Sequence, residues 1–131
     1  MATAIPDDLG QLIDGRVFAH VATVGRDGWP QCTAMWIARD HDYLLLNTAV
    51  GRVKWRNLRR DPRLGISISP PDRPYVNYSI KGRVVEMRTS DADEVIDALA
   101  RKYLGAEHYP KPPGEARVTI VVEPVSIVAK R

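Results

Sequence analysis

Three β-type runs separated by turn signals occupy residues 17–48, and they restrict the fold more than any other feature of the chain. Residues 17–24 are apolar on both faces, as a buried strand requires. Gly-Arg-Asp-Gly follows at 25–28, and Asp-Gly between two such runs specifies a hairpin. Residues 30–38 read as a second strand, with Gln31, Thr33, Met35 and Ile37 on one face and Cys32, Ala34, Trp36 and Ala38 on the other. A second turn at 39–42 leads to a third strand at 43–48. Two consecutive hairpins commit the chain to an antiparallel sheet.

The remainder extends that sheet. Residues 63–69 form a fourth strand, 75–88 a long fifth with Gly82 at a bulge or bend, and 117–129 a last one interrupted at Pro124. Helical periodicity appears three times: at 6–14 through Leu9, Leu12 and Ile13, between Thr48 and the stop at Pro62, and at 91–104. The last has Ser90 as its cap and Val95, Ile96, Leu99, Tyr103 and Leu104 as its apolar face. The Pro-rich segment 70–74 is expected to be extended and 105–114 irregular. A mainly β domain spanning 1–131 follows: a six-stranded antiparallel barrel with short helices.

Composition narrows the chemistry. The single cysteine, Cys32, leaves no internal disulfide, and His20, His41 and His108 lack metal-ligand spacing, so no metal is expected. No apolar run approaches the roughly 20 residues of a membrane helix, and no signal-peptide pattern opens the chain. The expectation is a cytoplasmic protein without membrane contact. His20 reads as a hydrogen-bonded core histidine, Cys32 as a small buried hydrophobe, and Trp36 and Trp55 as core or interface residues. Tyr75, Asn77, Ser79, Lys81 and Arg83 share one strand face, either lining a cleft or facing water. No catalytic triad, carboxylate pair or phosphate-binding glycine loop is present.

One segment is chemically distinct. Between Gly51 and Arg63 stand six basic residues and one acid, while acids outnumber bases in the rest of the chain. Placed at about 100° per residue, Arg52, Arg56, Arg59 and Arg60 fall on one side of the helix. Val50, Val53 and Leu58 fall on the other, with Trp55 at the edge. Lys54 and Asn57 land inside the apolar stripe, where such groups are normally excluded. Three readings are open: phosphate bound at the helix start, a solvated basic face, and nucleic-acid contact. The last lacks any accompanying nucleic-acid motif, and none is expected as a partner.

The hairpin Gly28-Trp-Pro-Gln-Cys-Thr-Ala-Met-Trp36, Asn47-Thr48, and the string Lys54-Trp-Arg-Asn-Leu-Arg-Arg-Asp-Pro-Arg63 resemble the pyridoxamine 5′-phosphate oxidase-like split-barrel family. Within it they are most similar to the branch that uses the deazaflavin coenzyme F420. The resemblance implies a split barrel of the kind that binds flavin mononucleotide (FMN). It further implies a homodimer with cofactor sites between subunits, and hydride transfer between F420, or alternatively FMN, and a small organic molecule. By the same resemblance Arg52 and Lys54 would hold the cofactor phosphate, supported by Asn47, Thr48 and Asn57. Gln31, Cys32, Thr33, Ala34 and Met35 would lie along the ring, with Tyr75 and Asn77 supplied by the partner subunit. No acid–base or covalent catalyst is implied. A binding protein that carries F420 without turnover is the alternative outside enzymology. The chain ends without the substrate-phosphate residues of true pyridoxamine phosphate oxidases, so oxidation of vitamin B6 is not implied.

Overall fold

The computed structural model describes residues 3–130. Helix α1 (Asp7–Asp14) precedes strands β1 (Ala19–Val24), β2 (Pro30–Met35), β3 (Ala38–Asp40) and β4 (Tyr43–Ala49). Helix α2 (Val53–Arg60), β5 (Arg63–Ile68), β6 (Asn77–Arg88), α3 (Ala92–Leu104) and β7 (Arg117–Lys130) complete the order. All pairings are antiparallel, in the order β2-β1-β5-β6-β7-β4-β3. The edge strands β2 and β3 are consecutive in the chain, joined by Trp36 and Ile37 alone. A two-residue link between opposite edges forces the sheet to curl until they approach, so it forms a split barrel.

This closure explains the main departure from the sequence-based expectation. The second predicted strand, 30–38, is two strands, because the chain must leave one edge and join the other at Trp36-Ile37. Alternation continues through the break and hides it. The link is pinned from α3. The Tyr103 hydroxyl donates to the carbonyl of Val17 and accepts from the amide of Ile37, while Lys102 Nζ donates to the carbonyls of Ile13 and Ile37 at 2.6 and 2.5 Å. Lys102 thereby also caps the C-terminal end of α1, where the helix dipole favours a cation.

The interior is filled by alternate residues of the strands, with Leu44, Leu46, Ile68, Ile120 and Val122 fully buried, and Leu9 and Ile13 of α1 close one end. Gly82 sits at a register shift against β7, as expected of a strand glycine. A Cβ there would stand 2.6 Å from Cγ1 of Val122, which is itself fully buried. Gly82→Ala is therefore expected to cost about 1–3 kcal/mol by overpacking, read as a lower midpoint in chemical denaturation.

Other local expectations are corrected. Segment 70–74 is a turn, with the Arg73 amide donating to the Pro70 carbonyl, because its proline φ values suit turns as well as extension. The fifth strand starts at Asn77 rather than Tyr75. Helix α3 takes Asp91, not Ser90, as its N-cap, and the Asp91 carboxylate pairs with Arg88 at 2.8 Å. His20 and Cys32 are exposed on the outer sheet face. On β1, Ala22 and Val24 share the outer face with His20, while Val21 and Thr23 point inward.

Candidate functional site

Helix α2 begins at a turn enforced by Gly51, whose φ of 90° is costly for any residue with a Cβ. Asp61 and Pro62 end it. Its buried residues are Asn57 and Leu58, with Trp55 packed beside them. Val50 and Val53, placed on the packed face from the sequence, are 46% and 44% exposed. The helix turns its polar pair inward instead, because two strand hydroxyls await it. Lys54 Nζ donates to Thr33 Oγ1 at 2.5 Å, and Asn57 Nδ2 to Thr23 Oγ1 at 3.0 Å.

Asn57 is engaged at both ends of its amide: its carbonyl oxygen also accepts from Arg60 at 3.0 Å. Lys54 is different, since no carboxylate answers its charge among the described residues. Burial lowers its pKa, the charge of Arg52 lowers it further, and Cys32 opposes both. Arg52, at the N-cap of α2, points the same way, and its side chain makes no capping hydrogen bond. The first amides of α2 and two cations therefore converge on one place.

That place is a cleft of about 290 Å3 lined by Phe18, Ala34, Met35, Trp36, Asn47, Thr48, Arg52, Lys54, Ile96, Leu99, Tyr109 and Arg117. One wall is cationic: Arg52, Lys54 and Arg117. The other is aromatic. Trp36 stacks on Tyr103 with ring centroids 5.2 Å apart and an interplanar angle of 6°, and Tyr109 meets Trp36 edge-on at 6.3 Å. Tyr109 reaches the cleft on the loop before β7, held by its amide to Asp97 Oδ1 at 2.8 Å.

Behind the cleft lies a buried polar cluster. Arg117 Nε donates to Asn47 Oδ1 at 2.9 Å, Asn47 Nδ2 donates to the Ala92 carbonyl at 3.0 Å, and Arg117 pairs with Glu115. The Arg117 guanidinium also lies 5.0 Å from the centre of the Tyr109 ring. Thr48 Oγ1, by contrast, is buried without a hydrogen-bond partner among the described residues. An orphaned hydroxyl beside an uncompensated ammonium is a matched set for an anionic acceptor. The residues present therefore fit a phosphate-bearing ring compound.

The sequence-derived set divides accordingly. Ala34, Met35, Asn47, Thr48, Arg52 and Lys54 meet at the cleft, and Thr33 abuts it through Lys54. Gln31 and Asn57 line a neighbouring depression with Trp29 and Val53. Cys32 faces outward, and Tyr75 and Asn77 do not line their own chain's cleft. Asn77 Nδ2 donates to Ser67 Oγ at 2.6 Å and Tyr75 is exposed. Phe18, Trp36, Ile96, Leu99, Tyr109 and Arg117 were not anticipated. The three prolines after Tyr109 marked its segment as an irregular loop and gave no sign that the ring reaches the cleft.

Among the described residues, no group of three or more His, Cys, Asp or Glu could hold a metal ion. Among the same residues no helix is long and apolar enough to cross a membrane.

Comparison with known proteins places this geometry. A solved structure named F420 reductase is 31% identical, covering 95% of this chain and 98% of that one, with a TM-score of 0.83. A HupZ protein of Group A Streptococcus is 20% identical over 95% of this chain and 93% of its own, with a TM-score of 0.72. A conserved hypothetical protein of Mycobacterium tuberculosis is 21% identical over 98% and 86%, with a TM-score of 0.71. These two share the fold. The family model described as pyridoxamine 5′-phosphate oxidase matches residues 5–129, so the chain belongs to the pyridoxamine 5′-phosphate oxidase family.

Proposed function

We propose that the chain is an F420-binding oxidoreductase that passes hydride between the deazaflavin and a small organic molecule. The observation that carries this is the pairing of an aromatic wall with Lys54, a half-buried cation without a carboxylate partner among the described residues, beside Arg52 at the start of α2. Family membership and the similarity to F420 reductase support an oxidoreductase that binds a flavin or deazaflavin.

In this reading Arg52, Lys54, the Thr48 hydroxyl and the first amides of α2 hold the phosphate. Ala34 and Met35 of β2 and the aromatic wall position the ring and keep water from it. The cofactor supplies the hydride chemistry. Asn47, Asn57 and Thr33 hold the binding residues in place. A homodimer would bring Tyr75 and Asn77 to the partner's cleft.

The test is equilibrium binding of F420 and FMN, followed by tryptophan quenching and by cofactor fluorescence, with oxidation of reduced F420 measured against a panel of acceptors. Tight F420 binding with turnover is expected. Preferential FMN binding overturns the deazaflavin assignment, and F420 binding without turnover on any acceptor makes the protein a carrier.

Thr48→Val separates the hydroxyl from its shape. Removing an unpaired buried hydroxyl should stabilise the free protein by about 1 kcal/mol and weaken F420 binding several-fold, since a ligand contact is lost. Thermal melts with and without F420 read both effects at once.

A further inference from the structure

One fixed negative charge, set against two arginines of the cleft, has no part in that reading. Glu115, at the end of the loop before β7, has 12% of its side chain exposed. Its Oε1 accepts a hydrogen bond from Arg117 and lies 3.5 Å from Nη2 of Arg52. The two arginines differ in freedom. The Arg117 side chain is 4% exposed and bound to Asn47, while that of Arg52 is 54% exposed. Arg117 thus fixes Glu115, and Arg52 is the partner that can turn. An anion held by Arg52 and Lys54 must share Arg52 with an immobile carboxylate.

Coulomb repulsion from that carboxylate scales with the charge the anion carries. A phosphodiester carries one negative charge. A phosphomonoester carries about 1.5 to 2 at neutral pH, because its second ionisation lies near pH 6. At a half-buried position salt screens this difference poorly.

We propose that Glu115 is a specificity-determining residue that disfavours a phosphomonoester relative to a phosphodiester at the Arg52–Lys54 site. The proposal rests on the cofactor reading above and adds a ligand class to it. The phosphate of F420 is a diester and that of FMN a monoester, so one carboxylate separates the two cofactors at the phosphate, independently of the ring.

The experiment keeps the ring constant. Affinities for the 5′-phosphate of the deazaflavin ring and for its methyl diester are measured by fluorescence titration on the full chain, at pH 7.5 and fixed ionic strength. Glu115→Gln keeps an oxygen to accept from Arg117 while removing the charge. The monoester-to-diester affinity ratio is expected to rise about tenfold in this variant. Glu115→Asp retains the charge for Arg117 and withdraws it from Arg52 by one methylene. It must shift the ratio in the same direction by less, and it serves where the glutamine variant does not fold. Equal changes for both ligands, or none, overturn the proposal and leave the anion site standing. Failure of the wild type to bind either ligand removes the cofactor reading and the proposal together.

Discussion

Lys54→Met should lower affinity for F420 about 10- to 100-fold and leave the melting temperature of the free protein unchanged or higher. The first effect is the loss of a charge-assisted contact to phosphate, about 1.5–3 kcal/mol. The second follows from what Lys54 lacks. Its hydrogen-bond partner among the described residues is the Thr33 hydroxyl, and burial together with Arg52 makes its charged form unfavourable in the free fold. Methionine fills the same stem without that cost. A mutation that weakens binding while sparing stability marks a residue held for a ligand. A parallel loss of both would return Lys54 to a structural role.

The same lowered pKa sets a pH dependence. An anion selects the ammonium form, so its affinity is constant near neutrality and falls as pH rises through the pKa of Lys54 in the free protein. Because that pKa lies below the usual 10.5, the loss begins below the pH at which an exposed lysine titrates. For the free protein the sign is opposite. The folded-state pKa is depressed, so stability rises as pH climbs through it towards 10.5. Lys54→Arg, which stays charged throughout, should carry the loss of affinity to higher pH. Titrations between pH 7 and 10.5 with both proteins check this.

How far such a site can be read from sequence depends on where its parts come from. Lys54 and Asn57 were conspicuous because helical geometry put them among apolar neighbours, and both are indeed drawn inward. Their different fates were not legible. Asn57 meets Thr23 and Arg60, which engage both ends of its amide, whereas Thr33 takes one of Lys54's three donors and leaves its charge unanswered. That difference depends on which strand hydroxyl faces which helical turn. The aromatic wall was equally silent. Phe18, Trp36 and Tyr109 lie far apart in the chain, and each alone looks like an ordinary core residue. They meet because α3 reaches the β2–β3 link through Tyr103 and the following loop returns along α3 to β7. Strand alternation likewise survived the break at Trp36-Ile37. Only closure of the sheet requires the chain to change edges there.

Arg117 is the residue whose loss should damage the molecule most. Its side chain is 4% exposed and joins Asn47, Glu115 and the face of Tyr109. Arg117→Met would leave the Glu115 carboxylate nearly buried with Arg52 as its remaining cationic neighbour among the described residues, and would free Asn47 Oδ1 and the Tyr109 loop. Breaking a buried pair from one side costs about 3–5 kcal/mol, much of it from the charge left behind. The double variant Arg117→Met/Glu115→Gln removes both charges and should recover most of that loss, since a buried pair contributes little net stability over neutral residues of similar volume. Denaturant midpoints for the two single variants and the double variant close the cycle, and a coupling energy of at least about 1.5 kcal/mol is expected. Additive losses would mean that Arg117 acts through Asn47 and Tyr109 alone. In that case Glu115 would not be immobilised by Arg117, and its carboxylate could follow Arg52 away from an incoming phosphate.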